Sequence, residues 1–189
     1  MQPLTILLAA PSGTGKSTMA KRLFDDFPQL KFSVSATTRA PRKGESHGVD
    51  YYFLSMESFQ QKIDDGDFIE WEEFYGGTRY GTLRSELVKN TEKGYFTLLE
   101  VDVKGAVRLK SLFDEYCLAL FLRPPSLETL EERLRNRNTD SETSLKLRLE
   151  RAEEELGYAS QFDHIITNDD LERAYSELKE TVQTFMNSY

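Results

Sequence analysis

Ala10-Pro11-Ser12-Gly13-Thr14-Gly15-Lys16-Ser17 joins a short, almost continuous apolar run at residues 4–10 to a segment of different rhythm. In that segment, residues 16–27, Met19, Ala20, Leu23, Phe24 and Phe27 recur at helical spacing until Pro28 stops them. An apolar run of this kind is what a strand covered on both faces of a mainly parallel sheet requires, so the order is strand, glycine-rich loop, helix. The octet fits the GxxxxGK[ST] pattern at every fixed position but the first, where Ala10 replaces glycine. Gly13 and Gly15 let the backbone turn its N–H groups inward around a phosphate. Lys16 supplies a mobile positive charge, and the Ser17 hydroxyl is a ligand suited to Mg²⁺. The helix that follows points its positive end at the same place.

Outward from the loop the alternation continues. Residues 95–101 and 117–122 repeat the apolar-run pattern, with a helix expected between them over residues 105–113 and a last short strand at Ile165 and Ile166. The C-terminal segment, residues 170–186, carries the stripe Ala174, Leu178, Val182 and Phe185, which seats a closing helix on the body. Two segments break the pattern. Residues 31–80 are rich in aromatics, Gly and Thr, with small strands expected at 51–54 and 68–71. Residues 124–158 are charged and helical, with Leu145, Leu149, Ala152 and Leu156 on one face and arginines off it.

The whole chain, 189 residues with 39% hydrophobic content, can bury one sizeable core and is shorter than the roughly 250 residues at which chains divide into independent domains. A net charge of −8 argues against nucleic acid, whose binding draws on Lys and Arg to neutralise phosphates. No apolar stretch reaches the roughly 20 residues that cross a bilayer, so no membrane association is expected. The lone Cys117 sits in an apolar run as a buried, inert thiol and suits a reducing cytoplasm. His47 and His164 stand alone, without partners for a metal site or a triad.

Residues 33–42, Ser-Val-Ser-Ala-Thr-Thr-Arg-Ala-Pro-Arg, taken with the loop, closely resemble the guanylate kinase family. The likeness continues through Gly48-Val49-Asp50-Tyr51-Tyr52-Phe53, Phe68-Ile69-Glu70-Trp71, Tyr80-Gly81-Thr82, Leu99-Glu100-Val101-Asp102, residues 133–137 and Thr167-Asn168-Asp169. It departs between Glu70 and Tyr80, a spacing one residue longer than usual, with Thr78-Arg79 where Asn-Tyr is common. The resemblance implies an α/β fold: a three-layer P-loop kinase core with a mainly parallel sheet (residues 1–32, 84–123 and 159–189), a small mixed-sheet GMP-binding lobe (33–83) and a helical lid (124–158). It implies ATP-dependent phosphorylation of GMP to GDP, with Mg²⁺ as cofactor and ATP and GMP as the small-molecule partners. Monomer and homo-oligomer both stay open.

Carried over residue by residue, the family's ATP site falls on Pro11, Ser12, Gly13, Thr14, Gly15, Lys16, Ser17, Thr18, Arg133, Arg137, Asn168 and Asp169. An Asn-Asp turn capping the last helix explains the final two nearly as well. The GMP site falls on Ser35, Arg39, Arg42, Tyr51, Glu70, Tyr80, Thr82 and Asp102. Arg39 and Arg42 clamp the single phosphate with the two tyrosine hydroxyls, and Glu70 accepts from the guanine N1–H and amine. Lys16, Arg39, Arg137 and Arg148 are the expected catalytic set, since phosphoryl transfer needs positioned cations more than an acid or a base. Ser17 is the expected metal ligand, with Asp102 placed in the site as its partner through water and Glu100 left open. Arg135 and Arg151 read as solvated helix charges. An interaction module of the same family that has lost catalysis typically lacks the intact grip of Gly13, Gly15, Lys16 and Ser17, and all four are present here. A kinase for a phosphorylated sugar on the same scaffold has no need of the purine-reading set Ser35, Glu70 and Thr82.

Overall fold

The computed structural model describes residues 2–73, 75–136 and 142–189. In chain order the first half gives β1 (Thr5–Ala9), α1 (Lys16–Asp26), β2 (Leu30–Phe32), β3 (Ala36–Thr37), β4 (Tyr52–Phe53), α2 (Met56–Asp64), β5 (Phe68–Glu73) and β6 (Arg79–Leu83). The second half gives α3 (Arg84–Glu92), β7 (Phe96–Glu100), α4 (Val103–Phe113), β8 (Cys117–Arg123), α5 (Leu127–Arg135), α6 (Glu142–Leu156), β9 (His164–Thr167) and α7 (Leu171–Met186).

β1 is buried at every position, as a strand with helices on both sides must be. It lies at the centre of a parallel sheet of order β2-β7-β1-β8-β9. Alternate side chains of its strands enter two separate cores. Ile6 and Leu8 meet Met19 and Leu23 of α1 and Leu178 and Val182 of α7 on one face. Leu7 and Ala9 meet Leu87 of α3 and Ala106 and Leu109 of α4 on the other. The result is the three-layer α/β arrangement that the resemblance implies, built on the alternation of strands and helices that the apolar runs suggest.

A second sheet, of order β4-β3-β6-β5, is mixed: β3 pairs β4 in parallel, and β6 runs antiparallel to both β3 and β5. Its own small core is Ala36, Phe59, Phe68 and Leu83, with the Phe59 and Phe68 rings stacked at 4.4 Å. The register of β5 against β6 shifts between Phe68 and Glu70. α5 and α6 pack through Leu130, Leu134, Leu145 and Ala152.

Two local expectations are sharpened. The helix expected from residue 105 begins at Val103, because Asp102 caps it by accepting from the Gly105 N–H at 3.0 Å. The face of α6 is divided: Leu145, Leu149 and Ala152 join the cluster with α5, whereas Leu156 packs against the central core that contains Leu7, Ala9 and Phe121. α2, capped by the Ser55 hydroxyl as it accepts from the Ser58 N–H, joins β4 to β5.

Candidate active site

The chain leaves β1 into a turn closed by Thr14, whose backbone N–H and hydroxyl both reach the Pro11 carbonyl, at 3.2 and 2.8 Å. Gly15 then opens α1 at φ 101°, a left-handed conformation glycine adopts without strain, and it brings no side-chain cap. The first amides of α1 are thereby left for an external anion. Gly13, at φ 95°, lies against α5; an added Cβ would stand 2.8 Å from Leu134 Cδ2. Absence of a side chain at this position therefore lets α5 close over the loop.

Lys16 folds its ammonium onto the Val101 carbonyl at 3.1 Å. Burial pulls its pKa below the usual lysine value, while the carboxylates of Glu100, Asp102 and Glu155 act the other way. The Ser17 hydroxyl donates to Glu100 Oε2 at 3.1 Å. Asn168 is buried, and its Nδ2 donates to the Thr14 carbonyl at 2.7 Å, tying the loop to the end of β9. Arg133 reaches over from α5 to the Asn168 carbonyl at 3.0 Å, and Arg148 from α6 to the Ser12 hydroxyl at 3.1 Å.

Across from the loop stands the edge of the second sheet. Arg39 forms a two-pronged ion pair with Glu45, at 2.7 and 2.9 Å, and its Nε donates to the Tyr80 hydroxyl at 3.3 Å. The Tyr51 and Tyr80 rings meet edge to face at 5.9 Å, with the Arg39 guanidinium 5.1 Å from the Tyr51 ring. Deeper along the same wall the Glu70 side chain is 9% exposed and accepts from the Thr82 hydroxyl at 2.7 Å. Burial raises its pKa above the usual carboxylate value, the Thr82 bond opposes that, and Asp102 adds to it. Gly105 of α4 makes room for the two carboxylates: a Cβ there would lie 2.9 Å from Asp102 Oδ2 and 3.2 Å from Glu70 Oε2. Arg108, further along α4, stands 3.9 Å from Glu70 and 2.9 Å from Glu72. The loop and this wall border one cleft of about 930 Å³.

The guanylate kinase family model matches residues 2–185. This chain belongs to the guanylate kinase family. It is 49% identical over 183 residues to the guanylate kinase of Chlorobium luteolum, covering 97% of this chain and 92% of that protein. It is 47% identical to that of Salinibacter ruber, covering 97% of each. The crystal structure of guanylate kinase from Anaplasma phagocytophilum superposes with a TM-score of 0.77 at 33% identity, over 97% of this chain and 86% of that one.

Of the residues singled out in this guanylate kinase family member from sequence, Arg137 lies outside the described residues. The others border the cleft, except Thr14, Thr82, Arg133, Asn168 and Asp169. Thr14 and Thr82 bond to the lining residues Pro11 and Glu70, Asn168 bonds to Thr14, and Arg133 to Asn168. Asp169 is exposed and pairs with Arg173 on α7, while Asp170 provides the cap of that helix. Ser17 faces Glu100, whereas Asp102 turns to Gly105 and the Glu70 side. Arg151, read as a solvated charge, instead borders the cleft in a 2.8 Å pair with the buried Glu155. Nothing in an i,i+4 pair distinguishes that situation from a solvated one.

Proposed function

We propose that this guanylate kinase transfers the terminal phosphoryl group of ATP to GMP, giving ADP and GDP, in the cleft between the phosphate loop and the second sheet. The observation that carries the assignment of roles is that one cleft joins the two sets of residues: Lys16, Ser17 and the open end of α1 on one wall, Arg39, Arg42, Tyr51 and Glu70 on the other. The loop amides and Lys16 bind the phosphates of the donor. Arg39 and Arg42, with the hydroxyls of Tyr51 and Tyr80, hold the phosphate of the acceptor, and bidentate arginine contacts fix its orientation as well as its charge. Glu70 accepts from the guanine N1–H and amine, with Ser35, Thr82 and Asp102 completing that end. A base that lacks this donor pair leaves the buried Glu70 carboxylate with only its Thr82 bond and no donors from the ligand, which disfavours that base by ~10⁴ or more.

Arg148, and Arg137 by resemblance, supply positive charge to the moving phosphoryl group as the lid, residues 124–158, closes on the core and excludes water. Asn168 holds the loop at the adenine end. Ser17 and Glu100, a hydroxyl and a carboxylate 3.1 Å apart beside the loop, are the hard oxygen donors that suit Mg²⁺. The ion, when bound, neutralises charge on the donor phosphates. A reducing cytoplasm accords with the single buried thiol of Cys117. The experiment is a coupled assay of ADP release with ATP and each of GMP, AMP, CMP and UMP in turn. Turnover with GMP at least a thousandfold above the others is expected, and good turnover with AMP but none with GMP overturns the acceptor assignment.

A further inference from the structure

Arg39 carries five N–H groups in a rigid plane, and the structure shows how four of them are used. Nη1 donates to the Ala40 carbonyl at 2.8 Å and to Glu45 Oε2 at 2.7 Å; Nη2 donates to Glu45 Oε1 at 2.9 Å; Nε faces the Tyr80 hydroxyl at 3.3 Å. Glu45 thus occupies the end-on fork of the guanidinium. The side edge, made by Nε and the second N–H of Nη2, is left toward Tyr80. Arg39 and Tyr80 border the cleft, and Glu45 does not. The carboxylate stands behind the wall, with its side chain 20% exposed and that of Arg39 15%. Its Oε2 also accepts from the Arg42 backbone N–H at 2.6 Å, and the Glu45 N–H returns to the Arg42 carbonyl at 3.1 Å. One carboxylate therefore ties together both ends of the Arg39–Arg42 turn.

We propose that Glu45 is a positioning residue for the acceptor phosphate: from behind the cleft it locks the Arg39 guanidinium with its Nε–Nη2 edge presented beside the Tyr80 hydroxyl. The inference rests on the reading of Arg39 as a phosphate clamp. An arginine freed from this fork regains its many rotamers and meets a phosphate with one donor as often as with two, losing the geometry that makes arginine worth more than a point charge. The contrary idea, that Glu45 is a resident anion sitting where the phosphate belongs, disagrees with its place outside the cleft lining. The Arg39 guanidinium and the Arg42 backbone hold the Glu45 carboxyl down at about 2, so the lock stays charged at every pH at which the protein is assayed.

The test compares ligands that differ only in the phosphate. Glu45→Gln, Arg39→Gln and the double variant are titrated with GMP and with guanosine, alongside KM for ATP and the thermal midpoint. Glu45→Gln is expected to weaken GMP by about 10- to 100-fold, the range in which loss of orientation at a binding group falls. Guanosine affinity, the ATP KM and the midpoint should stay close to those of the parent. In the Arg39→Gln background the same change should add less than twofold. Glu45→Gln binding GMP as well as the parent, while Arg39→Gln loses it, overturns the inference and spares the clamp. Tighter GMP binding marks Glu45 as a competing anion and overturns it too. A parallel loss of guanosine and ATP reduces Glu45 to a general structural role, also against the inference. An unchanged preference for GMP over guanosine in Arg39→Gln brings down the clamp reading itself.

Discussion

Replacing Glu70 by Gln should lower activity and raise stability together. Guanine offers two adjacent donors, and an ionised carboxylate meets both, even with Thr82 donating to Oε1 at 2.7 Å. The amide keeps one acceptor on the Thr82 side and turns an NH₂ group toward the second guanine donor. One charge-assisted hydrogen bond is lost and one donor is left facing another, about 3–4 kcal/mol in all, or roughly 10²- to 10³-fold in kcat/KM for GMP. KM for ATP should not follow. The stability effect has the opposite sign. Burial and the neighbouring Asp102 raise the Glu70 pKa above its ordinary 4.5. A carboxyl whose folded-state pKa is raised contributes stability as the neutral acid, fully present below the unfolded value and lost as pH climbs through the folded one. At pH 7 the ionised group is therefore a cost that Gln removes, and the new amide can also donate toward Asp102. Steady-state assays with varied GMP, and thermal melts at pH 7 and pH 4, check both halves: the midpoint of Glu70→Gln should exceed the parent's at pH 7 and lose that advantage at pH 4. A variant with kcat/KM for GMP within threefold of the parent, or a lower midpoint at pH 7, refutes the reasoning.

Gly105→Ala carries a helix-propensity gain of about 1 kcal/mol. Its Cβ would nevertheless press on Asp102 Oδ2 at 2.9 Å and Glu70 Oε2 at 3.2 Å, so that the Asp102 carboxylate, which caps α4 through Oδ1, must shift and Glu70 with it. KM for GMP should rise severalfold or more with KM for ATP unchanged and no gain in thermal midpoint, measured on the same preparations. Cys117, whose thiol burial pushes up to about 11, should resist a thiol-specific reagent at pH 8 until the protein is denatured. Rapid labelling of the folded protein would contradict its placement.

What was legible in sequence was what is chemically contiguous. The phosphate loop, its strand and its helix lie within residues 4–27, and each step needs only its neighbours: an apolar run, two glycines, a Lys-Ser pair. The proposed clamp and the proposed base-reading carboxylate came instead through resemblance, since Tyr51 alone reads equally well as packing and Glu70 as a solvated strand face. The remainder hinged on burial, which one-dimensional pattern does not carry. Asn168 and Asp169 are adjacent, yet one is buried against the Thr14 carbonyl and the other is exposed to Arg173. Arg135 and Arg151 both form i,i+4 pairs with glutamate, yet only the second is pressed against the cleft. α4 starts at Val103, two residues before the pattern expected it, because the Asp102 carboxylate caps it, a role that an acidic residue at a strand end does not announce.

The central place of β1 has a consequence for how the molecule is made. Thr5 pairs with Thr97 on one side and with Cys117 on the other, so β1 finds neither neighbour until about a hundred further residues have been synthesised. Parallel pairing at such separations is slow to close, because the loop entropy must be spent before any contact returns it. An apolar strand that waits this long is a natural client for chaperones, and phosphate binding by the nascent chain should begin only once β8 has emerged.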